Sequence, residues 1–421
     1  MKVLLCANDH EKITVGGPDV WMRRLANYLA LNNIEISVCF FYYGNLEHCQ
    51  NIQNLKQDGI AVECISNNKY PFTEGRLLEF LKIVKKLEPN IVIGNLCVPT
   101  FFASRYLKKL NIPVIPVIHA NNTFYNGVIE EFVWKRGAFQ ITNLVTVSKF
   151  LRLLCLSKSR ANVSVISCGT KTPSFKNTEP NGILKVVYIG RFRQWQKQIY
   201  DLTEAFCLAS KQVPNAMFYL YGYGPNGEDE RMHEIIATHN AEESVIIKGL
   251  IENSKLQKEI SNKHVVVLMS EYEGLPMALI EAMAVGLVPV CLSEESGVNE
   301  VVKHNKNGII IKNRDQDFID ALMELNLDIK KWKLFSEASI KTIDSNYSND
   351  VEGAKWLNFL NDIYVNQPRI KKPFVLPKNI RLPKKNEKIN EDIRGPKPPS
   401  FFARLRKRVG LRTRIKKAVR F

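Results

Sequence analysis

No two of the nine cysteines form a Cys-x-x-Cys pair. That spacing excludes a zinc ribbon and a disulfide framework, and it reads as the scattered reduced thiols of a cytosolic protein. No apolar run approaches the roughly 18 residues that cross a membrane. The opening MKVLLCANDHEK has neither the apolar core nor the small-residue cleavage site of a signal peptide, so a cytoplasmic location is expected. Gly-x-Ser-x-Gly, His-Glu-x-x-His and Walker A patterns are missing. Their absence removes the serine-hydrolase elbow, the helical zinc protease and the P-loop.

Most of the chain also lacks net charge. The total is +17, but Arg369 to Phe421 hold 19 Lys and Arg against 3 Asp and Glu. The other 368 residues hold 40 basic against 39 acidic groups. The body is nearly neutral and the charge belongs to a tail.

What is there is a repeated alternation. KVLLCA, IEISVCFFY, IAVECI, NIVIGN, PVIPVIHA and ITNLVTVS read as buried strands, with PDVWMRRLANYLAL, EGRLLEFLKIVKKL and PTFFASRYLKKL as helices between them. Continuous apolar strands joined by helical crossovers predict a parallel sheet covered on both faces. The pattern stops at a Thr-, Ser-, Pro- and Asn-rich stretch and restarts with KVVYIG, AMFYLYG, SVIIKG, HVVVLMS, LVPVCLS and NGIIIK. The expected fold class is α/β, two doubly wound parallel-sheet domains. The boundaries are 1–168, a linker 169–184, 185–346, a terminal helix 347–366, and a basic, largely disordered tail 367–421.

Ligands of such domains bind beyond the carboxyl ends of strands. Gly16 and Gly17 follow the first strand and open a helix, as an anion site or as an ordinary helix entry; no G-x-G-x-x-G follows that strand. Arg191 and Lys197 follow VYIG, and a planar fork with a point charge suits a diphosphate, although two solvated loop cations would look the same. Arg193 is expected to face solvent.

In EYEGLPMALIEA, Glu273 lies in a loop and Glu281 in a helix opened by Pro276. The amides near Gly274, Leu275 and Met277 sit at that helix's positive end. Two carboxylates on either side of bare amides match a sugar, a diphosphate and a ribose. A single dipole-capping acid would explain only one of them. Gly222 reads more readily as a turn than as a site, and Leu250 as a weak base-edge contact. His119 ends its strand before Asn121 and Asn122, and is either a charge-stabilising group or a satisfied core histidine.

Taken in this order, Gly16-Gly17, "VSKF" near Ser148, Arg191 with Lys197, Glu273-x7-Glu281 and "NGIII" near Gly308 resemble the family 4 glycosyltransferases of GT-B fold over about residues 1 to 365. The resemblance implies a nucleoside-diphosphate sugar, UDP- or GDP-linked, held by the second domain. It implies an acceptor on the first domain, transfer with retention, and no metal or other cofactor. Arg191 and Lys197 would then neutralise the departing diphosphate, Glu273 would hold the donor sugar, Glu281 the ribose, and His119 would sit beside the sugar. Gln198 and Ala120 depart from the family's usual residues.

The final FFARLRKRVGLRTRIKKAVRF mixes basic and apolar residues, which suits an anionic membrane surface and hence a lipid-linked or glycan acceptor. An inert tail and nonspecific RNA binding are the alternatives. A nucleotide-sugar epimerase of the same architecture and a nonenzymatic nucleic-acid binder are the rival functions. The first lacks a full set of cleft acids and bases, and the second leaves the cleft residues unexplained. The loop ANNTFYNGVIEEFVWKRG is expected to shape the acceptor site.

Overall fold

A computed structural model gives the structure of the protein and describes residues 1–11, 16–159, 161–224, 226–293, 296–367, 373–380, 382–383 and 387–389. Two parallel sheets form the frame. The first contains β1 (Lys2–His10), β2 (Glu35–Tyr43), β3 (Ala61–Ser66), β4 (Ile91–Gly94), β5 (Val114–Ile118), β6 (Asn143–Thr146) and β7 (Asn162–Val165), in the order β3-β2-β1-β4-β5-β6-β7. The second contains β8 (Leu184–Ile189), β9 (Ala216–Tyr221), β10 (Val245–Gly249), β11 (Val265–Leu268), β12 (Val288–Leu292) and β13 (Ile309–Ile311), in the order β10-β9-β8-β11-β12-β13.

The reason for strands is local. β5 and β12 are buried at every position, as expected where helices cover both faces. In each sheet the strand order reverses beside the first strand, between β1 and β4 and between β8 and β11. A crevice opens at such a reversal because the two connections leave in opposite directions. The segments after β1, β8 and β11, loop and first helix turns together, carry Gly16 and Gly17, Arg191 to Lys197, and Glu271 to Glu281.

Three sequence expectations change. β7 was not expected, because NVSV is a short polar edge strand in which only Val163 is buried. The segment after His119 is helical, Thr123–Val128 running into a π-helical turn Ile129–Trp134. Asn122 caps it by accepting the Tyr125 amide at 3.0 Å, so its polar start is a helix cap, while Tyr125, Val128, Ile129, Phe132 and Val133 bury the inner face. Beyond Gln367, the stretch expected to be structureless includes packed residues. Leu382 and Ile389 are buried, and Lys388 pairs with Glu130 at 2.5 Å. Apolar residues spaced among the Lys and Pro provide that anchor. The segment Phe401 to Phe421, on which the membrane expectation rests, lies outside the described residues.

The chain crosses between domains twice at one place. Thr170 bridges Ser348, and the helix Asn349–Val365 returns to pack on the first helix, Gly17–Leu31. Trp21 and Trp356 meet there with ring centroids 5.7 Å apart. Among the described residues no helix is long and apolar enough to cross a membrane.

Candidate active site

The helix Met277–Ala284 begins directly after Pro276, whose φ of −79° is ready-made for a helix entry. Glu281 falls in its second turn, and Glu273 stays in the preceding loop. Arg191 and Lys197 come from the neighbouring loop after β8. Lys197 ends a four-residue helical turn, Gln194–Lys197, and its ammonium pairs with Glu273. Both side chains are largely buried, 13% and 9% exposed. The pair therefore sits in a medium where charge interactions are stronger than in water. Arg191 is exposed and Arg193 half-buried. Phe192 between them is fully buried and fixes which way each neighbour leaves the chain.

Glu281 is held from two sides. Arg24 of the first helix reaches it at 2.6 Å, and Asn253 donates to it at 3.1 Å. The first domain approaches this helix closely. Gly17 faces Met277, so that a Cβ on Gly17 would lie 3.0 Å from Met277 Cγ. Gly16 caps the Gly17–Leu31 helix, its carbonyl accepting the Asp19 amide at 3.1 Å. A Cβ on Gly274 would drive into the carbonyl oxygen of His119. Gly274 is thus where the two domains touch backbone to backbone. Leu275, Pro276 and Met277 are all buried at this junction.

His119 is buried against Trp21, ring centroids 4.9 Å apart. Burial pushes its imidazole down to about 3, so it is neutral at physiological pH. Its Nδ1 lies 3.9 Å from Cys168 Sγ, and its buried Nε2 has no hydrogen-bond partner among the described residues. A neutral imidazole can orient a hydroxyl or accept a proton, but it cannot supply a fixed positive charge.

Sequence reasoning passed over Asp19, in the first turn of the Gly17–Leu31 helix. Its carboxyl is pushed up to about 7, first by burial and then by Asp9, while the Gly16 amide and Arg191 oppose the shift. Its only sequence signal is an acid in the first turn after the glycine pair.

Two glycine- and aspartate-based patterns serve the scaffold. Gly222-Tyr223-Gly224-Pro225-Asn226-Gly227 has the G-x-G-x-x-G spacing after β9. However, the buried carboxylate of Glu228 occupies the following helix entry and accepts the Asn226 amide at 2.8 Å. An anion cannot share that position with a carboxylate, so Gly222 serves the turn, where it packs against the Gly190 carbonyl at φ +157°. Leu250 is half exposed after β10. An Asp-x-Asp, which the sequence reading had taken to be absent, is present as Asp315 to Asp317; it opens the helix Gln316–Leu327, with Asp317 accepting the Lys312 amide at 3.1 Å. Among the described residues no group of three or more His, Cys, Asp or Glu side chains is placed to hold a metal ion.

The chain matches the family Glycosyltransferase Family 4 over residues 15–172 and the family Glycosyl transferases group 1 over residues 170–342. It belongs to these group 1, family 4 glycosyltransferases, with the GT-B fold of two parallel-sheet domains about a cleft. It is similar to a poly(ribitol-phosphate) alpha-N-acetylglucosaminyltransferase of Staphylococcus aureus, 28% identical over 66% of this chain and 57% of that protein. It is also similar to the amylovoran biosynthesis glycosyltransferase AmsK of Erwinia amylovora, 24% identical over 52% of this chain and 56% of that one. The match thus spans little more than half the length of these relatives. Among solved structures, HepE of Anabaena with UDP and glucose superposes with a TM-score of 0.70, at 16% identity, over 86% of this chain and 100% of that chain.

Proposed function

We propose that the protein transfers a sugar, with retention and without a metal, from a nucleoside-diphosphate sugar to a glycan or lipid-linked acceptor in surface-polysaccharide synthesis. The observation carrying this reading is the convergence, at the β8/β11 reversal, of the buried Lys197–Glu273 pair and of Glu281 one helix turn further in. Similarity to enzymes named for poly(ribitol-phosphate) and amylovoran supports the polymer class. The reading places the enzyme in the cytoplasm, on the inner membrane face where its acceptor requires it.

The chemistry follows from charge. Breaking the bond from the sugar to the diphosphate builds negative charge on the leaving phosphate. Arg191 and Lys197 meet that charge, and such preorganised stabilisation is commonly the largest protein contribution. Lys197 has three N–H donors, so it can keep Glu273 and still reach a phosphate oxygen. Glu273, oriented by Lys197, accepts hydrogen bonds from donor-sugar hydroxyls. Glu281 accepts from the ribose. His119, neutral and unpartnered at Nε2, orients the sugar. The leaving phosphate takes the acceptor's proton, and its bond to the sugar breaks as the acceptor oxygen bonds to that carbon on the same face.

The test is a thermal-shift screen of UDP, GDP and their sugars against wild type and Glu281→Ala. One nucleotide series should stabilise wild type, by about 3 kcal/mol at a hundredfold excess over Kd. That effect should shrink in the variant. Absence of any shift in wild type overturns the donor assignment.

A further inference from the structure

Arg23 and Arg24 are adjacent in the first helix but leave it in different directions. Arg23 forms a two-pronged pair with Asp58 of its own domain, at 2.6 and 2.7 Å. Arg24 turns to the other domain. Its Nη1 donates to the Gly169 carbonyl at the interdomain crossing, 2.9 Å away. Its Nη2 donates to Glu281 Oε1 at 2.6 Å and approaches Asn253 Oδ1 at 3.4 Å. The Arg24 and Glu281 side chains are 17% and 5% exposed.

The two Glu281 oxygens are used unequally. Oε1 takes Arg24 and the Asn253 amide at 3.1 Å. Oε2 takes only a long contact from Asn253, at 3.4 Å. A carboxylate has roughly four lone-pair directions, so the spare acceptor capacity lies mainly on Oε2. A buried carboxylate needs a counter-charge, and within this cluster Arg24 provides it. The guanidinium fork also fixes the carboxylate's rotation, because Nη1 is anchored on the Gly169 carbonyl while Nη2 holds Oε1.

We propose that Arg24 is a positioning residue for Glu281, turning Oε2 toward the hydroxyls of the donor's ribose. This inference rests on the donor reading of Glu281 given above. The nucleoside end of the donor is then fully gripped only when the first domain is docked on the second, since Arg24 and Glu281 belong to different domains. Arg24→Lys keeps the charge but cannot span both partners.

The experiment is calorimetric titration of UDP and GDP, each as the ribose and the 2′-deoxyribose form, with steady-state kinetics alongside. Arg24→Met should weaken binding of the preferred diphosphate by about tenfold. It should also erase most of the preference for ribose over 2′-deoxyribose and raise the donor KM while kcat stays within about twofold. Arg24→Lys should recover part of the affinity, and Arg23→Met should bind as wild type does. In a Glu281→Ala background, Arg24→Met should add less than about twofold.

If Arg24→Met fails to fold by circular dichroism, Arg24→Lys and Asn253→Ala give the answer with the same 2′-deoxy readout. Unchanged discrimination in the Arg24 variants, or full additivity with Glu281→Ala, overturns the proposal while leaving the donor site intact. Failure of wild type to bind either diphosphate overturns the donor reading, and this inference with it.

Discussion

The two domains share a strand order through their central strands, yet they present their ligand ends differently. In the second domain, short loops after β8 and β11 bring a cation and a carboxylate into contact, Lys197 with Glu273, and set Glu281 within the next helix. In the first domain, the loop ends carry a neutral histidine and a carboxyl near half-protonation, His119 and Asp19. The second domain thus holds a buried charge pair of its own, whereas the first brings a neutral histidine and reaches across with Arg24 to Glu281. On the function proposed above, a phosphate-bearing donor calls for the paired charges of the second domain.

The largest effect is expected from removing the charge that distinguishes the second domain. Glu273→Gln should keep the fold and lower the transfer rate by about 10²- to 10³-fold, measured as steady-state sugar transfer. A rate within about threefold of wild type would mean that the Lys197–Glu273 pair is only structural.

Next comes the contact between the halves. Gly274→Ala places a methyl group on the His119 carbonyl, so the domains must separate slightly. Misplacement of about 1 Å is worth on the order of 10² in rate, so transfer should fall by that amount. A cooperative unfolding transition should persist, at a lower temperature. Calorimetry separates this outcome from global unfolding.

The third prediction concerns the pivot where the chain crosses. Glu352 on the terminal helix accepts the Trp21 indole at 2.5 Å and the Gly169 amide, and burial pushes its carboxyl up from 4.5 to about 8. An acid with a raised folded value binds its proton more tightly in the fold. That stability is complete below 4.5, the unfolded value, and is lost as pH rises toward 8. Wild type should therefore lose stability between pH 5 and pH 8, and Glu352→Gln, which loses one of the two accepted N–H bonds at any pH, should lose less over that range, read as denaturation midpoints. Equal pH slopes would show that Glu352 is ionised in the fold.

The smallest effect lies beside the site. Gln198 takes a left-handed conformation, φ 51° and ψ 48°, directly after Lys197. Gln198→Gly should relieve about 1 kcal/mol of backbone strain, offset in part by the glycine's greater unfolded freedom. The expected outcome is a Tm within a few degrees of wild type, with the Lys197 turn retained.

The placement of Glu273, Glu281, Arg191 and Lys197 beside one another was legible, because their segments directly follow buried apolar strands and chain order alone brings them near one reversal point. Gln198 stood out as a departure from the family's usual residue, and its positive φ supplies the reason a glycine is favoured there. Asp19 and Glu352 were not legible. Each is an acid near a helix start, a common surface arrangement, and only packing half-buried Asp19 and buried Glu352. The helix Thr123–Val128 was taken for a loop because its Asn-rich start is a cap.

The sequence by itself determined the two α/β domains, their alternating strands and helices, and which residues stand at the strand ends, because period-2 and period-3.6 burial and strand-end loops are local properties of the chain. Only the tertiary structure decided that Arg24 reaches Glu281, that Gly274 meets His119, and that the terminal helix closes back on the first. Those contacts join residues 257, 155 and more than 300 positions apart. Their partners are chosen by how two rigid sheets dock, and no local preference of the chain encodes that.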